Sequence, residues 1–283
     1  MDFRIVDRII EMALDEDLPW GDVTSETVID PILKHDFVIL LKADGIVAGL
    51  PVAERVFRHL EPDLEWEPLL SDGAFGKNRE ILVRLRGRTC KVLMAERVAL
   101  NILQRMSGIA TLTSKYVSQA RKKSATVRIT DTRKTTPGLR YLEKYAVRMG
   151  GGHNHRYSLS DAVMLKDNHL AILKQEGISL HDAIERLRHQ LPHTSQIEVE
   201  VDTLEQISEV VAAGADCILL DNMDPETLVE AVRLIDGRTQ TEASGGVSLE
   251  TIQNIAGTGV DIISSGALTH SVTALDISLD FAD

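Results

Sequence analysis

Between Arg128 and Arg156 the sequence gathers seven cations: Arg128, Arg133, Lys134, Arg140, Lys144, Arg148 and Arg156. Only two acids, Asp131 and Glu143, lie among them. The result is a net +5 within 29 residues of a chain whose formal charge is −12. His153 and His155 add donors, and Lys166 follows. Guanidinium forks match the planar oxygens of carboxylates and phosphates. These residue types therefore suit a compact ligand with several anionic oxygens. Not every cation need serve it. Arg140, Lys144 and Arg148 recur at i, i+4 spacing, and with Glu143 they read equally well as ordinary surface charge on a helix. The flanks differ. Thr135-Thr136-Pro137-Gly138 forces a tight turn. Gly150-Gly151-Gly152 would let the backbone pass close to a ligand just before His153 to Arg156.

Acids stand against these cations. In the stretch IEVEVD, Glu198, Glu200 and Asp202 share one face of a strand, and Ile197, Val199 and Val201 share the other. An inward acidic face needs partners, because unpaired buried carboxylates are costly. Lys166 or a bound Mg²⁺ would offset them. Glu200 and Asp221 end two consecutive strands and suit Mg²⁺ or sugar hydroxyls. Ser244-Gly245-Gly246 and Ser265-Gly266 end two more, a common place for a phosphate held by backbone N–H groups.

These residues need elements to hold them. Six short apolar strands end in polar residues: 126–132, 162–168, 197–203, 217–222, 241–246 and 261–266. Their starts are spaced by 36, 35, 20, 24 and 20 residues, and helical stretches fall between most of them. That rhythm means βαβ units and a parallel sheet. Six units are too few for an eight-stranded barrel of roughly 250 residues. An incomplete barrel or an open sheet fits better, and either one binds ligands beyond the carboxyl ends of its strands. The first third reads differently. It has a helix from about Phe3 to Leu14, strands at Asp36–Lys42 and Arg79–Leu85, and a short helix near Val52–Leu60. A long helix follows from Arg88 to about Ala120, with an interruption expected at Ser107-Gly108.

Composition narrows the class. An acidic chain repels nucleic acid and anionic lipid surfaces, so neither is expected as a partner. No apolar run approaches the roughly 20 residues of a membrane helix. The acidic N-terminus lacks a signal-peptide core. Cys90 and Cys217 have no metal-like spacing and read as small core residues. A cytoplasmic setting is the expectation.

The same stretches resemble the decarboxylating quinolinate phosphoribosyltransferases, the nicotinate-nucleotide pyrophosphorylase family. The matching pieces are Glu16-Asp17 with Gly21 to Thr24, then Glu96 to Asn101 and Ser107 to Thr111. They continue with the 39-residue block DTRKTTPGLRYLEKYAVRMGGGHNHRYSLSDAVMLKDNH at 131–169. EVEVD (198–202), LLDN (219–222), EASGG (242–246) and SSGALTHS (264–271) complete them. The resemblance implies an N-terminal α/β sandwich domain (1–110, joined by the tail at 271–283) and an incomplete α/β barrel (111–270) of the type II phosphoribosyltransferase kind. It implies a homodimer, or a higher oligomer of dimers, in which Arg97 reaches the partner's site. It implies that Arg133, Lys134, His155, Arg156 and Lys166 bind quinolinate and the diphosphate. Glu200 and Asp221 would hold the ribose hydroxyls and Mg²⁺, directly or through water or substrate. Ser244, Gly245, Gly246, Ser265 and Gly266 would take the 5′-phosphate.

The implied activity is glycosyl transfer in pyridine nucleotide (NAD) biosynthesis. Quinolinate and phosphoribosyl pyrophosphate would give nicotinate mononucleotide, pyrophosphate and CO₂. Lys134, Lys166, Glu200 and Asp221 would carry the chemistry electrostatically, with no covalent intermediate. Three alternatives stay open at this level. The acceptor could be nicotinate or another pyridine or pyrimidine. Lys166 could be an aldolase-like nucleophile. The fold could serve a non-catalytic anion sensor, although Glu200 and Asp221 ill suit a pure anion binder.

Overall fold

The computed structural model describes residues 1–282. The chain divides into two compact units. The first comprises Met1–Ser114, Thr135–Gly151 and Leu268–Asp283, and the second Lys115–Lys134 and Gly152–Ala267.

The first unit opens with α1 (Phe3–Asp17) and α2 (Val23–Val28). Asp2 caps α1 by accepting the Arg4 amide at 3.0 Å, and Val6, Ile9, Ile10 and Leu14 form its buried stripe. β1 (Lys34–Leu41), β2 (Gly45–Ile46), α3 (Leu50–Leu60), β3 (Glu65–Pro68), β4 (Phe75–Gly76) and β5 (Ile81–Arg88) follow. The long α4 (Thr89–Arg121) begins in this unit and ends in the second. β1 pairs antiparallel with β5, and on its other edge with the last strand, β12 (Ile277–Phe281), in a four-stranded sheet β12-β1-β5-β3. α5 (Arg140–Met149) also belongs here.

Two expectations in this unit are corrected. α4 runs unbroken through Ser107 and Gly108. Ser107 turns its hydroxyl to the Ala48 backbone (3.0 Å to N, 3.2 Å to O), and a Cβ on Gly108 would fall 2.3 Å from the Thr273 carbonyl oxygen. The small residues serve a close approach, not a helix break. Glu143 and Lys144 are not surface charge. They are 1% and 3% exposed, and Glu143 accepts from Arg105 Nε (2.9 Å), Arg105 Nη2 (2.5 Å) and the Thr136 amide (3.2 Å). Gly150 has a packing reason as well. Its missing Cβ would lie 2.3 Å from the Ala110 carbonyl oxygen on α4, so this glycine serves a helix contact rather than a ligand.

The second unit is built on β6 (Arg128–Thr130), β7 (Val163–Leu165), β8 (Ile197–Val201), β9 (Cys217–Asp221), β10 (Gln240–Ser244) and β11 (Ile262–Ser264). All six coincide with the stretches read as strands, β10 beginning one residue earlier, at Gln240. They form one parallel sheet in the order β6-β11-β10-β9-β8-β7. The alternation is completed by α6 (Asp167–Gln175), α7 (Leu180–Gln190), α8 (Ile207–Ala212), α9 (Pro225–Ile235) and α10 (Ile252–Ala256), while α11 (Ala267–His270) starts on the last residue of this unit and continues into the first. Ile197, Val199, Val201, Ile218, Leu220 and Ile263 are all under 1% exposed and form the packed face. Among the described residues β6 and β7 do not pair, so the barrel is incomplete. The seam beside β6 is taken by the segment at His153. The His153 amide donates to the Ile129 carbonyl (2.8 Å), and the Asp131 amide donates to the His153 carbonyl (3.2 Å).

Candidate active site

The carboxyl ends of the six strands carry Asp131, Lys166, Glu200, Asp221, Ser244 and Ser265, each at or beside the last residue of its strand. Lys166 follows β7 directly, and its ammonium donates to Glu200 Oε2 on β8 at 2.8 Å. Asp221 ends β9, where the Asn222 amide side chain donates to it at 2.6 Å. Burial raises the Asp221 pKa first, and the charges of Glu200 and Asp202 raise it further. Lys166 only partly counters them. Three carboxylates thus face one lysine. A divalent cation with oxygen ligands fits this donor set, since it would relieve the excess negative charge.

The glycine-bearing ends are shaped as expected for close approach. Gly245 has φ +87° and Gly246 φ +61°. A Cβ on Gly245 would fall 2.0 Å from Asn222 Oδ1. The Asn222 amide donates to the Ser244 carbonyl (2.9 Å), and Ser265 donates through its amide to Thr130 O (3.0 Å). Ser265 is 4% exposed, while Gly266 is half-buried.

The cations after β6 and the seam are held differently. Arg133 is half-buried, and its Nε is buried without a hydrogen-bond partner among the described residues. Arg156 donates to the Ala162 carbonyl (3.1 Å) and approaches Met164 Sδ (3.6 Å). Its pKa is lowered, first by burial and then by the positive charge of Arg133. Two guanidiniums near enough for their charges to repel, one with an orphaned donor, suit an anion. Lys134 is exposed, with its backbone amide on Thr132 Oγ1 (3.0 Å). Arg97 lies on α4 in the first unit, exposed, 3.6 Å from Glu96. Arg140 donates to Thr135 Oγ1 (2.9 Å), and Arg148 lies over the Tyr145 ring at 5.7 Å.

His155 turns its ring inward. Nε2 lies 3.2 Å from Glu198 and 3.5 Å from Glu242, at the wall of a cavity of about 320 Å³. Burial disfavours charge on the ring, but the hydrogen bonds and charges of both glutamates outweigh it and push its pKa up to about 10. Burial raises the Glu198 pKa also. The composition of this cluster is that of a metal site. However, the Arg156 amide donates to Nδ1 at 2.7 Å. A metal on Nε2 needs Nδ1 to carry a proton and donate it outward. Nδ1 is an acceptor here, so the one ring proton sits on Nε2 facing Glu198, and this contact opposes the second proton that the two glutamates favour; Glu200 with Asp221 is the better cation site. Glu242 was missed in the sequence reading. Its signal was the two-residue period that puts it on the same strand face as Ser244.

Two sequence models of one family match the chain. The N-terminal domain of quinolinate phosphoribosyl transferase matches residues 22–107, and its C-terminal domain matches 109–280. The chain belongs to the quinolinate phosphoribosyltransferase family. It is 43% identical over 265 residues to a Bacillus subtilis (strain 168) protein named probable nicotinate-nucleotide pyrophosphorylase (carboxylating), covering 94% of this chain and 89% of that one. It is 44% identical over 287 residues to the chloroplastic nicotinate-nucleotide pyrophosphorylase (carboxylating) of Arabidopsis thaliana, covering 96% and 81%. The crystal structure of NadC from Streptococcus pyogenes is similar with a TM-score of 0.93 at 40% identity, covering 100% and 99%. The family resemblance and the barrel-plus-sandwich fold expected from sequence are both borne out.

Proposed function

We propose that the chain is a quinolinate phosphoribosyltransferase, forming nicotinate mononucleotide, pyrophosphate and CO₂ from quinolinate and phosphoribosyl pyrophosphate. The observation that carries the reading is the buried Arg133 Nε without an acceptor among the described residues, with the positive charge of Arg156 near enough to feel that of Arg133. Quinolinate brings two adjacent carboxylates, which would satisfy that donor and screen both guanidiniums. Lys134 and Lys166 would add cations for the diphosphate. Ser244 to Gly246 with Ser265 and Gly266 would hold the 5′-phosphate through backbone donors.

The pyridine nitrogen attacks ribose C1 as pyrophosphate leaves through a cationic sugar. Glu200 and Asp221 would bind the ribose hydroxyls and stabilise that positive charge. Mg²⁺, which Glu200 and Asp221 would hold directly or through water, supplies charge neutralisation for the leaving group. The 2-carboxylate then departs as CO₂ with its electrons taken by the quaternised ring, and a proton replaces it. Lys166 is engaged with Glu200 and acts as a cation.

A homodimer with Arg97 reaching the partner's site is part of the proposal. Trp20, Val23, Val28 and Ile32 are 73–92% exposed and give the first unit an apolar face for a second copy. No described helix is long and apolar enough to cross a membrane.

The deciding experiment measures pyrophosphate and CO₂ release with quinolinate and with nicotinate. Release of both products with quinolinate alone supports the reading. Turnover of nicotinate without CO₂ would replace it with the related acceptor. Borohydride trapping of a substrate–Lys166 adduct would overturn the electrostatic role of that lysine.

A further inference from the structure

The strongest unassigned feature is the seam between β6 and β7. Asp131 follows β6 and is 0% exposed. Both of its carboxylate oxygens are engaged by the segment that lies in the seam. Oδ2 accepts from Asn154 Nδ2 at 2.6 Å, and Oδ1 accepts from the His155 amide at 2.9 Å. The backbone of the same segment pairs with Ile129 and Asp131. From there the chain is tied in sequence. The His155 ring faces Glu198 and Glu242, its Nδ1 takes the Arg156 amide, and the Arg156 guanidinium donates to the Ala162 carbonyl just ahead of β7.

We infer that Asp131, through Asn154 and the His155 amide, is a positioning residue for the quinolinate-binding face of the site, fixing where Arg156 is presented. This rests on the proposed function above. The physical argument is one of missing support. A strand inside the sheet is held by ladders on both sides, whereas the seam segment, among the described residues, pairs with the β6 edge. A single three-residue strand edge leaves such a segment prone to local opening. A buried carboxylate making charge-assisted bonds to a side chain and to a backbone amide supplies the missing hold. Its charge also falls beside Arg133 in sequence, so the same short stretch anchors one guanidinium and carries the other. The Ser244–Gly246 turn and the Glu200–Asp221 pair are set by other strands, β8 to β10.

An exchange of partners tests this. Asn154→Asp alone sets two carboxylates where the 2.6 Å bond was, and Oδ2 loses its donor whether or not the introduced carboxylate swings out. The quinolinate KM should rise by about tenfold or more, as expected for loss of a charge-assisted bond. The phosphoribosyl pyrophosphate KM should move less than about threefold. Adding Asp131→Asn restores a donor–acceptor pair with its direction reversed, and leaves an amide oxygen for the His155 N–H. The double variant should recover most of the quinolinate affinity. Circular dichroism and thermal unfolding check each variant, and a folded double variant suffices even if Asn154→Asp does not fold.

A folded double variant that stays impaired would overturn the proposal, because it would mean the Asp131 charge itself acts on substrate or on a cation. Equal rises in both KM values would also overturn it, since that marks general loosening of the barrel. Failure of the functional reading looks different. It would be seen in the parent enzyme, as no turnover of quinolinate at all.

Discussion

Replacing Arg133 by Ala separates binding from stability. Arg133 holds a buried Nε without an acceptor, and its charge depresses the pKa of Arg156. An unsatisfied buried donor costs about 1–3 kcal/mol. Removing it, and removing the repulsion on Arg156, offsets the packing lost with the side-chain stem. The substrate-free variant should therefore unfold at or above the parent's temperature, at roughly 2–4 °C per kcal/mol of net gain for a domain of this size. Binding moves the other way. A charge-assisted contact to a carboxylate is worth about 2–3 kcal/mol, or about 30- to 150-fold in affinity. Isothermal titration of quinolinate, beside calorimetric unfolding of the same preparations, reads both quantities. A quinolinate affinity within threefold of the parent would refute the anion-site argument. A large fall in unfolding temperature would refute it too, by showing Arg133 to be a structural cation whose needs are met internally.

Other changes test other parts. Arg105→Ala should lower stability by about 3–5 kcal/mol, because it leaves Glu143 buried at 1% exposure without its ion-pair partner; denaturant unfolding checks this. Gly245→Ala should raise the KM for phosphoribosyl pyrophosphate while leaving quinolinate binding intact, since φ +87° and a contact of 2.0 Å with Asn222 both resist a Cβ. Asp221 has a raised pKa in the folded state. Ionising it therefore costs the folded chain more than the unfolded one, and its contribution to stability is lost as pH rises through the raised value. Without divalent cations, Asp221→Asn should be more stable than the parent at neutral pH, with the advantage vanishing below the ordinary carboxylate pKa of about 3.9. Millimolar Mg²⁺ should raise the parent's unfolding temperature and not the variant's; equal shifts would remove Asp221 from the cation site.

Much of this site is written in local patterns. Short apolar runs ending in charge mark parallel strands, because a strand buried on both faces has nowhere else to put polar residues. IEVEVD declared its two faces by alternation alone, and Lys166 duly meets Glu200. What stayed hidden depends on partners far along the chain. Glu143 and Lys144 look like helix-surface charge until Arg105, 38 residues earlier, is folded against Glu143. Gly108 looks like a helix breaker until the Thr273 carbonyl arrives beside it. The direction of the His155 ring is decided by Glu198 and Glu242 on two other strands, which nothing near it in sequence shows. The role of Asn154 was equally silent, because nothing local shows that Asp131 lies across from it.

The seam between β6 and β7, bridged on the β6 side alone among the described residues, carries a consequence for motion. Amides protected by ladders on both sides exchange with solvent only through larger openings, whereas those at a seam need only a local one. The seam segment is held on one side by a few backbone bonds and by Asp131. Hydrogen exchange should therefore run fastest there and slowest through β9 and β10, the middle strands of the sheet. Arg156 rides on the fast part. An anion that bridges it to Arg133 would close the circle that the backbone leaves open, so occupancy should be legible as slowed exchange at His153 to Arg156.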